Sequence, residues 1–234
     1  MSTIINSIFL EALLVLEERN SMFENAKIGI KKIYKAEVLT IIAAVIAIIS
    51  GVVLLVLGIA AKDGKNVNTA DVVSLLSLIV AAVLAIIAFF LNLFGIIKAS
   101  KDDKSFKNAQ IMLIFGIVVS IVSTALQSKD PSLSKAFATA NDISELFVTY
   151  YVISGCISLA LKKGNQEVAD KGKKALNLVL VVWVITVLVG AFGTILTKKA
   201  GEIVAGIIGL VTIVLSIIAY FVYLGVLKKT SDIL

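Results

Sequence analysis

Residues 86–118 read IIAFFLNLFGIIKASKDDKSFKNAQIMLIFGIV, in which an apolar run ends, a lysine-rich linker follows and a second apolar run begins. This order recurs along the chain, with an aromatic residue five positions before a glycine in three places. A second echo matches the four residues 23–26 (FENA) to 106–109 (FKNA). The repeated order predicts joints between successive helical hairpins. The aromatic and glycine pairs are Phe90 with Gly95, Tyr150 with Gly155, and Tyr220 with Gly225.

Composition indicates a membrane environment. Hydrophobic residues make up 59% of the sequence and charged residues 16%, whereas an ordinary soluble domain carries roughly 25% charged residues. The net charge of +6 resides in short linkers between apolar runs, which favours membrane topology over nucleic-acid binding. Cys156 is the single cysteine, so an intramolecular disulfide is excluded. Arg19 is the single arginine among 22 basic residues, a bias that favours a prokaryotic source.

Six apolar segments follow residue 37, and most are near or above the roughly 20 residues that a membrane span requires. Inside a bilayer only helices and closed barrels satisfy the backbone, and these segments lack the alternation of barrel strands. We therefore expect an all-α polytopic membrane protein with six transmembrane helices. The expected spans are Val38 to Ala61, Val72 to Ile97, Gln110 to Leu126, Ile143 to Leu161, Ala175 to Thr197, and Ile203 to Leu227.

The spans pair into three hairpin-like repeats that together form one transmembrane domain over residues 22–234. Two repeats carry a lysine three positions after the repeated glycine, at Lys98 and Lys228, whereas Ser158 occupies that place in the middle one. Common descent is one explanation. The other is that lysines, aromatic residues and glycines collect near the ends of any spans. The three units are approximately residues 22–101, 105–163 and 167–229.

Residues 1–21 are predicted to form an N-terminal amphipathic helix that lies along the membrane surface or against the bundle. The apolar run over 4–16 is too short to span a membrane. Ser7, Glu11 and Glu18 fall on the side opposite the aliphatic residues. A signal peptide is not expected, because no basic leader precedes the run.

The distribution of basic residues predicts the orientation of the chain. About 16 of the 22 basic residues lie in the terminal segments and the even-numbered loops, and about six lie in the odd-numbered loops. Both termini are therefore expected in the cytoplasm, in a protein of the cell membrane. The resulting lysine-rich face should attract anionic lipid headgroups.

The third loop carries its own helix signal. Asp130 directly precedes Pro131, and this order suits the cap and the first turn of a helix. A short surface helix is therefore predicted around residues 134–138, before the fourth span begins at Ile143.

Small residues four positions apart form a stripe on each predicted span. Such a stripe lets helix backbones approach closely and gain dispersion contacts in lipid. We expect the stripes to face inward and to pack the helices against one another, with a solute path as the alternative. The positions chosen for this packing role are Ala43, Ala47, Gly51, Gly116, Gly190 and Gly209.

Five polar side chains within the predicted spans form the candidate intramembrane site: Asn92, Glu145, Tyr150, Tyr151 and Asn177. For the two asparagines, interhelical hydrogen bonding is the main interpretation and ligand contact the alternative. At least one tyrosine is expected to point into the bundle, because a buried hydroxyl needs a partner. Glu145 stands at the edge of its span, where capping is the default interpretation, whereas an ionisable group inside the membrane would be a functional candidate.

The residue inventory argues against catalysis. Histidine is absent, which excludes a protease triad of the usual kind, a haem ligand and a histidine zinc site. We expect no catalytic residue, cofactor or metal. The favoured function is a scaffold, regulatory or accessory membrane subunit. Its expected partners are the lipid bilayer, anionic lipid headgroups, and a second copy of the chain or another membrane protein. Binding to nucleic acid is not expected. A channel or secondary transporter for a small solute is the alternative, and an enzyme acting on lipid ranks third.

Overall fold

The structure, a computed structural model, describes residues 23–62, 68–200 and 202–234. Within these ranges it describes the side chains of all residues except 57–62, 68–72, 190–200, 202, 203 and 205. The predicted N-terminal amphipathic helix over residues 1–21 lies outside the described part of the chain.

All regular secondary structure in the described ranges is helical, and six helices there are long and apolar enough to cross a membrane. The prediction of an all-α chain with six candidate spans is therefore confirmed. The helices are α1 (Glu24–Lys62), α2 (Asn68–Ala99), α3 (Lys104–Leu126), α4 (Pro131–Lys162), α5 (Gln166–Ala200) and α6 (Glu202–Ile233).

α1 begins well before the apolar segment predicted for the first span, because the basic lead-in is itself helical. Ala26, Ile30 and Ile33 recur at helical spacing and are fully buried. The lysines of this segment occupy the other side of the helix, and those that are exposed are Lys27, Lys31 and Lys35.

The structure corrects the prediction for α4. The sequence predicted a short surface helix near residues 134–138 followed by a separate span from Ile143, but one helix of 32 residues runs from Pro131 to Lys162. The Asp130 carboxylate accepts a hydrogen bond from the Leu133 amide at 3.0 Å, and Pro131 occupies the first turn, where its missing N–H costs nothing. No glycine or proline interrupts the helix before Gly155.

The described chain divides into two compact units. One contains residues 23–30 and 96–234, and the other contains residues 31–95. In the first unit α4 packs against α3, α5 and α6, and α5 packs against α6. α4 is the central helix, because 44% of its most apolar 18-residue stretch is buried, against 11% to 17% for the other five candidate spans.

The core of the first unit lies near the lysine-rich helix ends. Phe106 of α3 is fully buried and packs onto Gly155 of α4, where a Cβ atom would overlap the aromatic ring. A second close approach joins Ile157 of α4 to Gly172 of α5. Glycine at these two positions lets neighbouring helices touch backbone to side chain. Other fully buried residues of this core are Ile96, Ile153, Cys156, Leu159, Ala160, Leu227 and Thr230.

The second unit consists of the central part of α1 and most of α2. Its buried positions are mainly small, and they include Ala43, Ser50, Ala81 and Ala88. Large aliphatic and aromatic side chains of this unit are exposed, as at Ile48 (66%) and Leu55 (66%). An apolar exterior around small buried residues is typical of helices that pack in lipid.

Candidate functional site

The linker between α2 and α3 contains a densely bonded polar group, the Asp103 carboxylate. Asp103 is only 6% exposed. It caps α3 by accepting a hydrogen bond from the Ser105 amide at 2.9 Å. It also accepts hydrogen bonds from Ser158 Oγ and Lys162 Nζ of α4, both at 2.7 Å. One carboxylate therefore fixes the start of α3 to the end of α4.

These contacts change the acidity of Asp103. Burial raises the pKa of the carboxyl group, but the hydrogen bonds from Lys162, Ser158 and the Ser105 amide together outweigh burial. The pKa of Asp103 therefore lies below its ordinary value, and the group is ionised at neutral pH.

Asp102, the residue before it, forms hydrogen bonds to the start of α1 instead. The Asp102 carboxylate accepts hydrogen bonds from the Ala26 amide at 2.7 Å and from Asn25 Nδ2 at 3.1 Å. A carboxylate is favourable there because the first turn of a helix presents unpaired amides. Phe23 lies beneath the ammonium groups at the end of α4, with Lys162 Nζ 6.0 Å and Lys163 Nζ 5.7 Å from the ring centroid.

The sequence predicts only a linker at Asp102 and Asp103, whereas in the structure the network of these two residues joins three chain segments. A signal for Asp103 was present, because aspartate is a preferred residue immediately before a helix. No comparable pattern in the sequence indicated that Asp102 would bond to residues 25 and 26, which are 77 and 76 positions away.

The five predicted intramembrane residues do not all belong to one compact unit. Asn92 lies in the 31–95 unit, and its Oδ1 atom is buried without a hydrogen-bond partner in the described part of the chain. Asn177 of α5 is exposed. Tyr150 and Tyr151 are half-buried neighbours on α4 whose ring centroids are 5.2 Å apart with edge-to-face geometry.

Glu145 is exposed on α4 and accepts a hydrogen bond from Asn141 Nδ2 at 2.9 Å. Asn141 lies one helical turn earlier, so this bond is local to α4. The surroundings of Glu145 are set mainly by the way in which α4 lies along α3.

Two polar contacts fix the register of the α3–α4 pair. Near the α3–α4 turn, Ser123 Oγ donates to the Ser134 carbonyl and Ser134 Oγ donates to the Ser123 carbonyl, both at 2.9 Å. Further from the turn, Ser144 Oγ donates to the Met112 carbonyl at 2.6 Å. Glu145 is therefore level with the first half of α3, well inside the hairpin.

The six small residues chosen for helix packing occupy different environments. Ala43 and Gly116 are buried, and a Cβ atom on Gly116 would lie 2.9 Å from Ser144 Oγ. Ala47 and Gly209 are half-buried, whereas Gly51 is exposed. A Cβ atom on Gly51 or Gly209 would meet no atom within 4 Å. The side chain environment of Gly190 lies outside the described residues.

Within the described ranges, no group of three or more cysteine, aspartate and glutamate side chains comes together in a way that could hold a metal ion. No protein-family model matches this chain, no curated protein matches it, and no solved structure matches it.

Proposed function

We propose that the protein is a non-catalytic, multi-pass membrane protein that acts as a scaffold, regulatory or accessory subunit. The Asp102 and Asp103 network carries this proposal. Its charged and polar groups bond to helix starts and to one another, so they stabilise a helix junction and are not arranged around a reacting atom. Catalysis would require an acid, a base or a nucleophile directed at a shared point.

The junction also supports the proposed equivalence of the first two hairpin units. Phe23 and Phe106 are equivalent in the repeated sequence, and both are buried. Ala26 and Ala109, three positions later, are both fully buried. The matched positions thus have matched packing roles at the starts of α1 and α3. We place these starts and both chain termini on the cytoplasmic side, following the excess of basic residues there.

The lysine-rich end is proposed to bind anionic lipid headgroups. Lys27, Lys31 and Lys35 are exposed and recur every four residues on the start of α1, which puts them on one stripe. Basic residues close to an anionic leaflet contribute about 1 kcal/mol each. Buried residues on the opposite side of α1 hold the stripe in place.

Thermal unfolding of the purified protein in mixed micelles tests the lipid proposal. Phosphatidylglycerol should raise the midpoint relative to phosphatidylcholine, and the variant with glutamine at positions 27, 31 and 35 should lose much of that increase. The control is glutamine at Lys129 and Lys135, which lie near the opposite end of the α3–α4 hairpin, and this variant should keep the increase. An equal loss in both variants would refute a specific lysine-rich face.

The membrane placement is tested separately in intact cells. An impermeant reagent should not reach a tag on either terminus, and the chain should remain with the membrane after alkaline washing. Recovery of a monodisperse, folded protein without detergent or lipid would overturn the proposal.

Transport of a small solute is the second candidate function, because polar side chains occupy an exposed face in the first half of α4. Solute flux through proteoliposomes would favour transport over a scaffold.

A further inference from the structure

The first half of α4 has an exposed polar face. Lys135, Thr139, Asp142 and Glu145 follow one another at spacings of four, three and three residues, which places them on one side of the helix. All four are exposed. Asn141 bonds to the last of them, and its own position is half-buried towards α3. We refer to Lys135, Thr139, Asp142 and Glu145 as the polar stripe.

The α3–α4 register places the polar stripe beside apolar surface. The contacts of Ser134 with Ser123 and of Ser144 with Met112 bracket the stripe, so it extends along the part of α3 between residues 112 and 123. α3 exposes large apolar side chains along this length, at Ile114 (49%), Phe115 (49%), Val118 (54%) and Ile121 (65%). These apolar side chains require a hydrocarbon environment, and the polar stripe lies at the same heights along the α3 axis.

Glu145 is the deepest member of the polar stripe. It is level with the turn of α3 from Met112 to Gly116, about 12 to 18 Å along the axis from the start of α3 at Lys104 and about 15 to 21 Å from its end at Leu126. The proposed hydrocarbon layer is roughly 30 Å thick. Both ends of the hairpin are therefore distant from this carboxylate, whereas the apolar run of α4 taken alone places Glu145 at the edge of its span.

The same side of α4 is covered by protein further along the helix. Ile153, Cys156 and Ala160 continue the stripe at helical spacing and are all fully buried. Ala160 packs in a cluster with Val168 and Ala169 of α5. Among the described residues, the covering helices thus close over the second half of this face and leave the first half exposed.

Lipid and a second copy of the chain both fit the polar stripe poorly. An ionised side chain facing hydrocarbon is costly and normally faces a polar cavity or a partner charge. A dimer in a membrane would have its two-fold axis along the bilayer normal, which would set Glu145 against Glu145 and Lys135 against Lys135. Like charges would then meet at the levels of Lys135, Asp142 and Glu145, and water is the occupant that suits all four side chains.

We propose that the polar stripe lines a water-filled recess that opens near the α3–α4 turn and reaches Glu145 inside the bilayer. Asp142 and Glu145 make the deep part of the recess attractive to small cations. This inference rests on the proposed membrane placement and goes beyond the scaffold function, since it adds a route by which water and cations enter the membrane region.

Cysteine accessibility in lipid nanodiscs tests the recess, because both faces are open to reagent while lipid still surrounds the helices. The single native cysteine is fully buried and is replaced by alanine as background. Ala138→Cys and Thr139→Cys probe the stripe without changing charge, and Glu145→Cys probes its deep end. Ile114→Cys and Val118→Cys are controls on α3 at the same levels. A cationic, impermeant methanethiosulfonate reagent should label the stripe at least ~10-fold faster than the controls, because only a hydrated thiol ionises.

The outcomes separate the recess from the membrane placement. Slow labelling at both the stripe and the controls would overturn the recess while keeping the placement. Fast labelling at both would show that the region is outside lipid, and both proposals would fall. Gel filtration and complete labelling in denaturant verify that each variant is folded and that its cysteine is competent.

The cation preference has a separate readout. At Ala138→Cys, a cationic reagent should react several-fold faster than an anionic reagent of similar size, after both rates are normalised to those measured with a free thiol. Adding Glu145→Gln should reduce this ratio, whereas adding Glu24→Gln, on α1, should not. An unchanged ratio with Glu145→Gln would overturn the role of this carboxylate in attracting cations.

Discussion

The two halves of α4 differ sharply in their surroundings. In the second half, Val152, Ile153, Cys156, Leu159 and Ala160 are buried, and the helix contacts α3, α5 and α6. In residues 131–146, Ser144 is the one buried position. The same helix is thus the core of the unit at the lysine-rich end and a largely exposed element towards the α3–α4 turn. Packing energy should therefore be concentrated at one end of the molecule.

The largest expected effect is at the contact between Gly155 and Phe106. Gly155→Leu would place a side chain where the fully buried ring lies, and we expect a loss of about 3 kcal/mol in unfolding free energy or failure to assemble. Ala138→Leu in the exposed half of α4 should change stability by no more than about 0.5 kcal/mol. Unfolding by SDS titration in micelles measures both. Similar losses at the two positions would contradict the comparison.

The next effect concerns the two aspartates that cap α3 and α4. Asp103→Ala removes a cap together with the bonds to Ser158 and Lys162, and it should cost about 2 kcal/mol. Asp130→Ala removes an exposed cap alone and should cost about 1 kcal/mol or less. The same titration compares them. If Asp130→Ala were the more damaging change, the Asp103 network would not be the main junction.

The Asp103 network also predicts that the free energy of unfolding decreases at acid pH, which we call the acid limb. Its pKa is lower in the folded chain than the ordinary value of 3.8, so the folded state is stabilised above that pH and loses this contribution as pH falls through the folded pKa. The unfolding midpoint should be flat from neutral pH to about pH 5 and should drop below about pH 4. Asp103→Asn should reduce the drop. An acid limb of unchanged size in that variant would assign it to other carboxyl groups.

The smallest expected effect is at an interhelical hydrogen bond in the exposed half. Ser144→Ala removes the bond to the Met112 carbonyl and should cost about 0.6 kcal/mol, as such bonds do on average in membrane proteins. Thr139, on the exposed side, donates only to the Lys135 carbonyl of its own helix. Thr139→Ala should therefore be nearly neutral. A cost above about 2 kcal/mol for Ser144→Ala would place more packing energy here than the comparison allows.

Polar pairing between distant segments was the part of the site that the sequence could not predict. Asp102, Ser144 and Ser158 act through partners 76, 32 and 55 positions away, and no local pattern encodes those distances. Asp103 and Asp130 were within reach of sequence reasoning, since a cap depends on the adjacent helix alone. The sequence places Glu145 at the edge of its span because an apolar run begins nearby, whereas the level of Glu145 relative to α3 depends on how the two helices pack.

The sequence by itself determined the helical class, the six apolar stretches and the lysine-rich linkers, because length, hydropathy and charge are local properties of the chain. The tertiary structure decided that α4 is one continuous helix, that its second half forms the core, and that Glu145 lies level with the turn of α3 from Met112 to Gly116. The physical reason is the packing of α4 along α3, which fixes the relative height of two helices that the sequence describes only one at a time.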